Sequence, residues 1–128
     1  MNTKVLMMSS ALVLGAIGIL LTFIPEEVAA YIDLPVKTAL LIQLLGAAYF
    51  GFALLNWMAK GNLIGGIYSK PVALGNYAHF LVGVLAVGKL AIKTNGLNHL
   101  WIITIVYAIF AILFGYISFS NPLKKNYE

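Results

Sequence analysis

The chain has 128 residues, 62% of them hydrophobic and only 9% charged, and its mean hydropathy is +0.95, which lies outside the composition of a soluble globular domain. It contains no cysteine, which excludes disulfides, thiolate metal sites and CxxC redox chemistry. The net charge of +4 comes from eight basic residues, all lysines in connections or near helix ends, so membrane topology accounts for the basic balance and nucleic acid is not an expected partner.

Crossing about 30 Å of hydrocarbon takes roughly 20 mainly apolar residues. Four such stretches fit, at about 5–24, 38–59, 72–92 and 97–119. The expected fold is therefore all-α, a single integral membrane domain over residues 1–128 built as a four-helix bundle. The first stretch also has features of a secretory signal: Lys4 precedes an apolar run, and Val28-Ala29-Ala30 resembles a cleavage site. Its apolar run is longer than a signal core, and Pro25-Glu26-Glu27 intervenes, so it is read as a span.

The first connection, PEEVAAYIDLPVK, interleaves Val28, Ala29, Ile32 and Leu34 with acids and predicts a short amphipathic helix on the outer surface. Pro25 would stand in its first turn, with Glu26 and Glu27 near its positive end. A solvated loop is the alternative. The second connection, KGNLIGGIYSKP, combines Gly61, Gly65 and Gly66 with Lys60 and Lys70, the two lysines expected at lipid headgroups. It lacks the GxxxxGK[ST] spacing of a nucleotide-binding loop, and ordinary turn chemistry is the competing reading.

Lysines tend to stay on the cytoplasmic side of a membrane. Lys4, Lys60, Lys70, Lys124 and Lys125 fall on one side, and Lys37, Lys89 and Lys93 on the other, together with Glu26, Glu27 and Asp33. Both termini are accordingly expected in the cytoplasm of a multi-pass cell-membrane protein, of the bacterial inner-membrane kind.

Small residues mark faces where helices can approach in lipid. Such pairs are Ala11 and Gly15, Ala47 and Gly51, Gly75 and Gly83, and Ala111 and Gly115, one pair per span. Polar residues form narrower stripes: Gln43, Gly46, Tyr49, Ala53, Asn56 and Lys60 on the second span, and Asn76, His79, Gly83, Ala86 and Lys93 on the third. Antiparallel pairing of these two spans would give an inner cluster of Asn56, Asn76 and His79 and an outer pair of Gln43 and Lys89, separated by Tyr49.

A titratable residue inside a span is a functional-site hypothesis by default. His79 is read either as part of a proton relay or ligand site, or as a neutral imidazole that ties helices together. Haem held by two histidines is not expected within one subunit, because His99, the other histidine, falls at the outer surface. A small multidrug exporter needs an embedded glutamate in its first helix; this chain offers Ser9, Ser10 and Thr22 there, which can bond to their own backbone. No acid falls inside any span, so carboxylate-pair hydrolysis and carboxylate-held metals are excluded. The vitamin K epoxide reductase type of four-helix enzyme is excluded by the missing cysteines. Lys89 lies close enough to a helix end to reach the interface. Trp57, Tyr68, Trp101, Tyr116 and Tyr127 read as interfacial aromatics, and Tyr49, Tyr77 and Tyr107 as deeper ones.

The layout of FIPEEVAAYIDLP, QLLGAAYFGFALLNW and GNYAHFLVG resembles the small bacterial four-helix membrane proteins of the DoxX-like superfamily. That resemblance implies a four-helix bundle; the association of some relatives with quinone-linked oxidation has no motif here to carry it. Three functional readings follow. The leading one is a non-enzymatic membrane protein acting through helix contacts, as an accessory subunit, scaffold or self-associating bundle, with no cofactor, metal or catalytic residue. The second is a transporter or binder of a lipid or quinone-like ligand, in a pocket lined by Gln43, Tyr49, Asn56, Asn76, His79 and Tyr107. The third is a subunit of a membrane redox enzyme.

Overall fold

A computed structural model describes residues 2–62, 64–94 and 98–120, apart from the side chain of Asn98. Lys124, Lys125 and Tyr127, used above for topology and for the aromatic belt, lie outside the described residues, as does Leu97 at the start of the fourth expected span. The described chain is helical with no strand: α1 (Thr3–Phe23), α2 (Pro25–Tyr31), α3 (Ala39–Ala59), α4 (Lys70–Lys93) and α5 (Asn98–Phe119). Single 3-10 turns at Val36–Thr38 and Ile67–Ser69 lead into α3 and α4. Helices α1, α3, α4 and α5 are long and apolar enough to cross a membrane, so the expectation of an all-α chain with four long apolar helices holds.

Local chemistry sets the helix boundaries. Asn2 caps α1, its side-chain oxygen accepting from the Lys4 and Val5 amides at 3.1 and 3.4 Å, which starts the helix at Thr3. Pro25 ends it, because the residue before a proline is pushed out of the helical region; Ile24 sits at φ −129°, ψ 49°. The same proline opens α2 with Glu26 and Glu27 in its first turn, the short helix expected from the sequence. That helix closes in a Schellman turn, with the Leu34 amide donating to the Ala29 carbonyl at 2.8 Å and the Asp33 amide to Ala30 at 3.3 Å. Asp33 takes the left-handed position at φ 61°, where glycine is the usual occupant.

The chain forms two compact units, residues 1–61 and 62–128. In the first, α1 and α3 are an antiparallel pair with α2 at their connected end, where Ala29 is buried. Leu6, Met7, Ser10, Ala11, Leu14 and Gly18 form the buried stripe of α1, at the three-and-four spacing of one helix face. It meets Ile42, Gly46, Ala53 and Asn56 of α3. The closest approach is made by glycines. A Cβ on Gly18 would stand 2.7 Å from the Phe50 amide nitrogen, and one on Gly46 would stand 2.8 Å from that of Thr22. In the second unit α4 and α5 form the corresponding pair, with Ala73, Asn76, Phe80 and Ala91 of α4 buried, and Tyr107, Phe110, Ala111, Phe114, Ile117 and Ser118 of α5.

Candidate functional site

In the first unit Asn56 lies one turn before the end of α3 on its α1-facing stripe, and it is fully buried. Its amide donates to Ser10 Oγ at 3.0 Å, and the Ser10 hydroxyl donates in turn to the Met7 carbonyl at 3.0 Å. The pair is thus a relay in which one amide joins two helices and a hydroxyl passes the bond to backbone. Toward the other end of the same stripe, Gln43 Nε2 donates to the Thr22 carbonyl at 3.2 Å. Tyr49, between them, is half-buried. The sequence places Ser10 as a residue satisfied by its own helix, which it is in part. Its second role, as acceptor for Asn56, was legible only in its position on the Leu6–Leu14 stripe once α1 is paired with α3.

The second unit holds Asn76, His79 and Tyr107. Asn76 is fully buried and donates to the Val72 carbonyl one turn back at 2.9 Å. The His79 ring is edge-on to Phe80, at 5.1 Å and 83°, and tilted at 40° against Tyr107, at 5.8 Å. Tyr107 is buried because Gly83 leaves room for it: a Cβ on Gly83 would overlap the phenol ring. Phe80 stacks on Phe110 at 4.8 Å and on Phe114 at 5.8 Å, and meets Tyr107 edge-on at 5.2 Å. His79 therefore stands at the margin of an aromatic layer. Of the residues nominated from the sequence, the structure brings His79 and Tyr107 into ring contact and Gln43 and Asn56 onto α1. The sequence reading missed Phe80 of α4 and Phe110 and Phe114 of α5, although the one-turn spacing of the latter two was a visible signal.

Among the small-residue pairs, Ala11 is buried, a Cβ on Gly15 would stand 3.5 Å from that of Ala53, and Gly83 and Gly115 receive the rings of Tyr107 and Tyr77. The α3 pair differs: Ala47 is exposed, and a Cβ on Gly51 would meet nothing within 4 Å. Gly46, one residue away from Ala47, makes the α1 contact instead, so the two faces of α3 carry separate rows of small residues.

The lysines expected at headgroups lie at helix ends. Lys60 follows α3 and folds its Nζ back over the Trp57 ring, 3.2 Å from the centroid, a cation–π contact. Lys70 is exposed in the first turn of α4. Among the described residues, no three of His, Cys, Asp and Glu come together in a metal-holding group. No protein-family model matches the chain, and no curated protein or solved structure is significantly similar to it.

Proposed function

We propose that this chain is a multi-pass cell-membrane protein, with both termini cytoplasmic, that acts through lateral helix contacts rather than through catalysis. Four helices of spanning length support the membrane reading. The observation that carries the rest is the two-faced character of α3. One face is spent inside its hairpin, through Gly46 against α1 and Asn56 on Ser10. The other presents Ala47 and the open Gly51. In hydrocarbon, apolar side chains gain nothing by leaving lipid for one another, so association depends on close backbone approach, and a row of small residues permits it. A second copy of this chain or a helix of a larger complex can pack there.

The absence of native cysteine makes the test direct. Gly51→Cys and Ala47→Cys variants, oxidised in native membranes, are expected to give crosslinked species in gels, while Ile109→Cys on the exposed side of α5 gives none. Monomers at all three positions would end the association reading.

A second reading has its own observation, the His79 ring against Tyr107 at the margin of an aromatic layer. A quinone-like or acyl ligand is the chemistry such a margin accepts, by ring stacking and one polar contact. His79→Ala and Tyr107→Phe proteins that keep their fold should then lose a co-purifying lipophile that the unchanged protein retains.

A further inference from the structure

The charge of this chain is unevenly distributed between its two units. Residues 1–61 carry three lysines and three acids, whereas residues 62–128 carry five lysines and one acid, so the whole net charge of +4 belongs to the second unit. Among the described residues of that unit no acid occurs. At the start of α4 one of those five lysines, Lys70, stands beside two large side chains that are almost fully exposed. Ile67 is 83% exposed and Tyr68 is 99% exposed, and Lys70 follows, also exposed.

The turn that presents them is held from beneath. Ile64 and Ser69 are buried on either side of it, the Ser69 amide donates to the Gly66 carbonyl at 3.1 Å, and Gly65 supplies a φ of 108° that other residues rarely adopt. Ile67 and Tyr68 project from a shaped turn whose neighbours in sequence are packed.

Helix length sets the depth. The 24 residues of α4 run roughly 36 Å, against about 30 Å of hydrocarbon and 40–45 Å including headgroups. A turn just before its first residue falls in the headgroup layer, where tyrosine is enriched and a lysine meets phosphate.

We infer that the Ile67–Lys70 turn is a membrane-interface anchor selective for anionic phospholipid. Ile67 and Tyr68 enter the boundary between headgroup and acyl chain, and the Lys70 ammonium pairs with the headgroup phosphate. The inference rests on the membrane reading above, and its failure can be told apart from failure of that reading. Resistance of the full-length protein to carbonate extraction reports membrane insertion alone.

The test is lipid retention by the full-length protein, measured by native mass spectrometry after delipidation and titration with phosphatidylglycerol or phosphatidylcholine. The unchanged protein is expected to retain phosphatidylglycerol in preference. Lys70→Gln should cut that preference about fivefold, the effect of one lysine at an anionic surface, while leaving phosphatidylcholine retention as it was. The double variant Ile67→Ser, Tyr68→Ser should lower retention of both lipids. Lys93→Gln, at the far end of α4, separates a built anchor from bulk charge. Equal retention of the two lipids by the unchanged protein, an unaltered preference in Lys70→Gln, or a loss in Lys93→Gln as large as in Lys70→Gln would each overturn the inference. All substituted side chains are exposed, so circular dichroism should find the helices unchanged.

Discussion

The Ser10–Asn56 bond is the feature whose removal should be felt most at the level of single residues. Both side chains are fully buried, and neither can reach water if the other is lost. Interhelical hydrogen bonds in membranes contribute about 0.6 kcal/mol on average and up to about 1.7. Asn56→Ala is expected to destabilise the protein by about 1–2 kcal/mol, which adds the cavity left by the side chain to the lost bond. Ser10→Ala should cost less, because the Ser10–Asn56 bond is lost while no large void opens. A double-mutant cycle in detergent, followed by helix loss in increasing dodecyl sulfate, should return a coupling of about 1 kcal/mol; additive losses would show that the two residues act separately. Asp33 gives a prediction of opposite sign. It occupies a left-handed position that costs a non-glycine residue energy, so Asp33→Gly is expected to raise stability by about 0.5–1 kcal/mol in the same assay.

At the level of elements, the glycines of α1 and α3 sort by what stands opposite them. Gly18 faces backbone, which cannot move aside as a side-chain end can, and Gly18→Ala should cost about 1–3 kcal/mol through forced separation of the helices. Gly51 faces open space, and Gly51→Ala should be neutral or stabilising by up to about 1 kcal/mol for the folded monomer, since alanine is the better helix former. Unfolding of the two variants side by side checks both signs. This contrast also shows where sequence reasoning stops. The spacing of Ala47 and Gly51 marked a face of α3 as small, and that face is real, but spacing alone ranks it equal to the Gly46 row. Only the position of α1 decides which row lies inside the hairpin. The polar stripe of α3 was legible for a better reason: Gly46, Ala53 and Asn56 share a face, and burying an amide demands a partner. Which helix supplies that partner depended on tertiary pairing, and the partner was Ser10 of α1.

On the scale of the whole molecule, composition and the length of apolar runs made the all-helical class and the four long apolar helices legible. The start of α2 was legible at Pro25, whereas α1 and α4 begin two residues before the expected spans at 5 and 72, because Thr3, Lys4 and Lys70 extend the helices past the apolar run. The aromatic layer was less legible, because phenylalanine in an apolar span carries no signal of burial beyond its spacing. Topology supplies a prediction at this scale. With cytoplasmic termini, a membrane-impermeant maleimide should label Glu26→Cys in intact cells and Asn62→Cys only after permeabilisation. Both native side chains are exposed and no native thiol competes. The reverse pattern would invert the proposed orientation.

The α1–α3 pair is fastened at two heights by two unlike devices. Near α2 the fastening is a glycine crossing, Gly18 against the Phe50 backbone and Gly46 against Thr22, with Gln43 Nε2 donating to the Thr22 carbonyl beside it. Eight residues back along α1, roughly 12 Å away, it is the amide of Asn56 on a hydroxyl. Mechanically these are a pivot and a latch. Heat, or a competing donor reaching Ser10, can open the latch without loosening the pivot, so the hairpin yields first at the end bearing Asn2 and Lys60 and swings about its glycines. Amide hydrogen exchange in the first two turns of α1 should therefore quicken in Asn56→Ala, while the turns around Gly18 keep their protection.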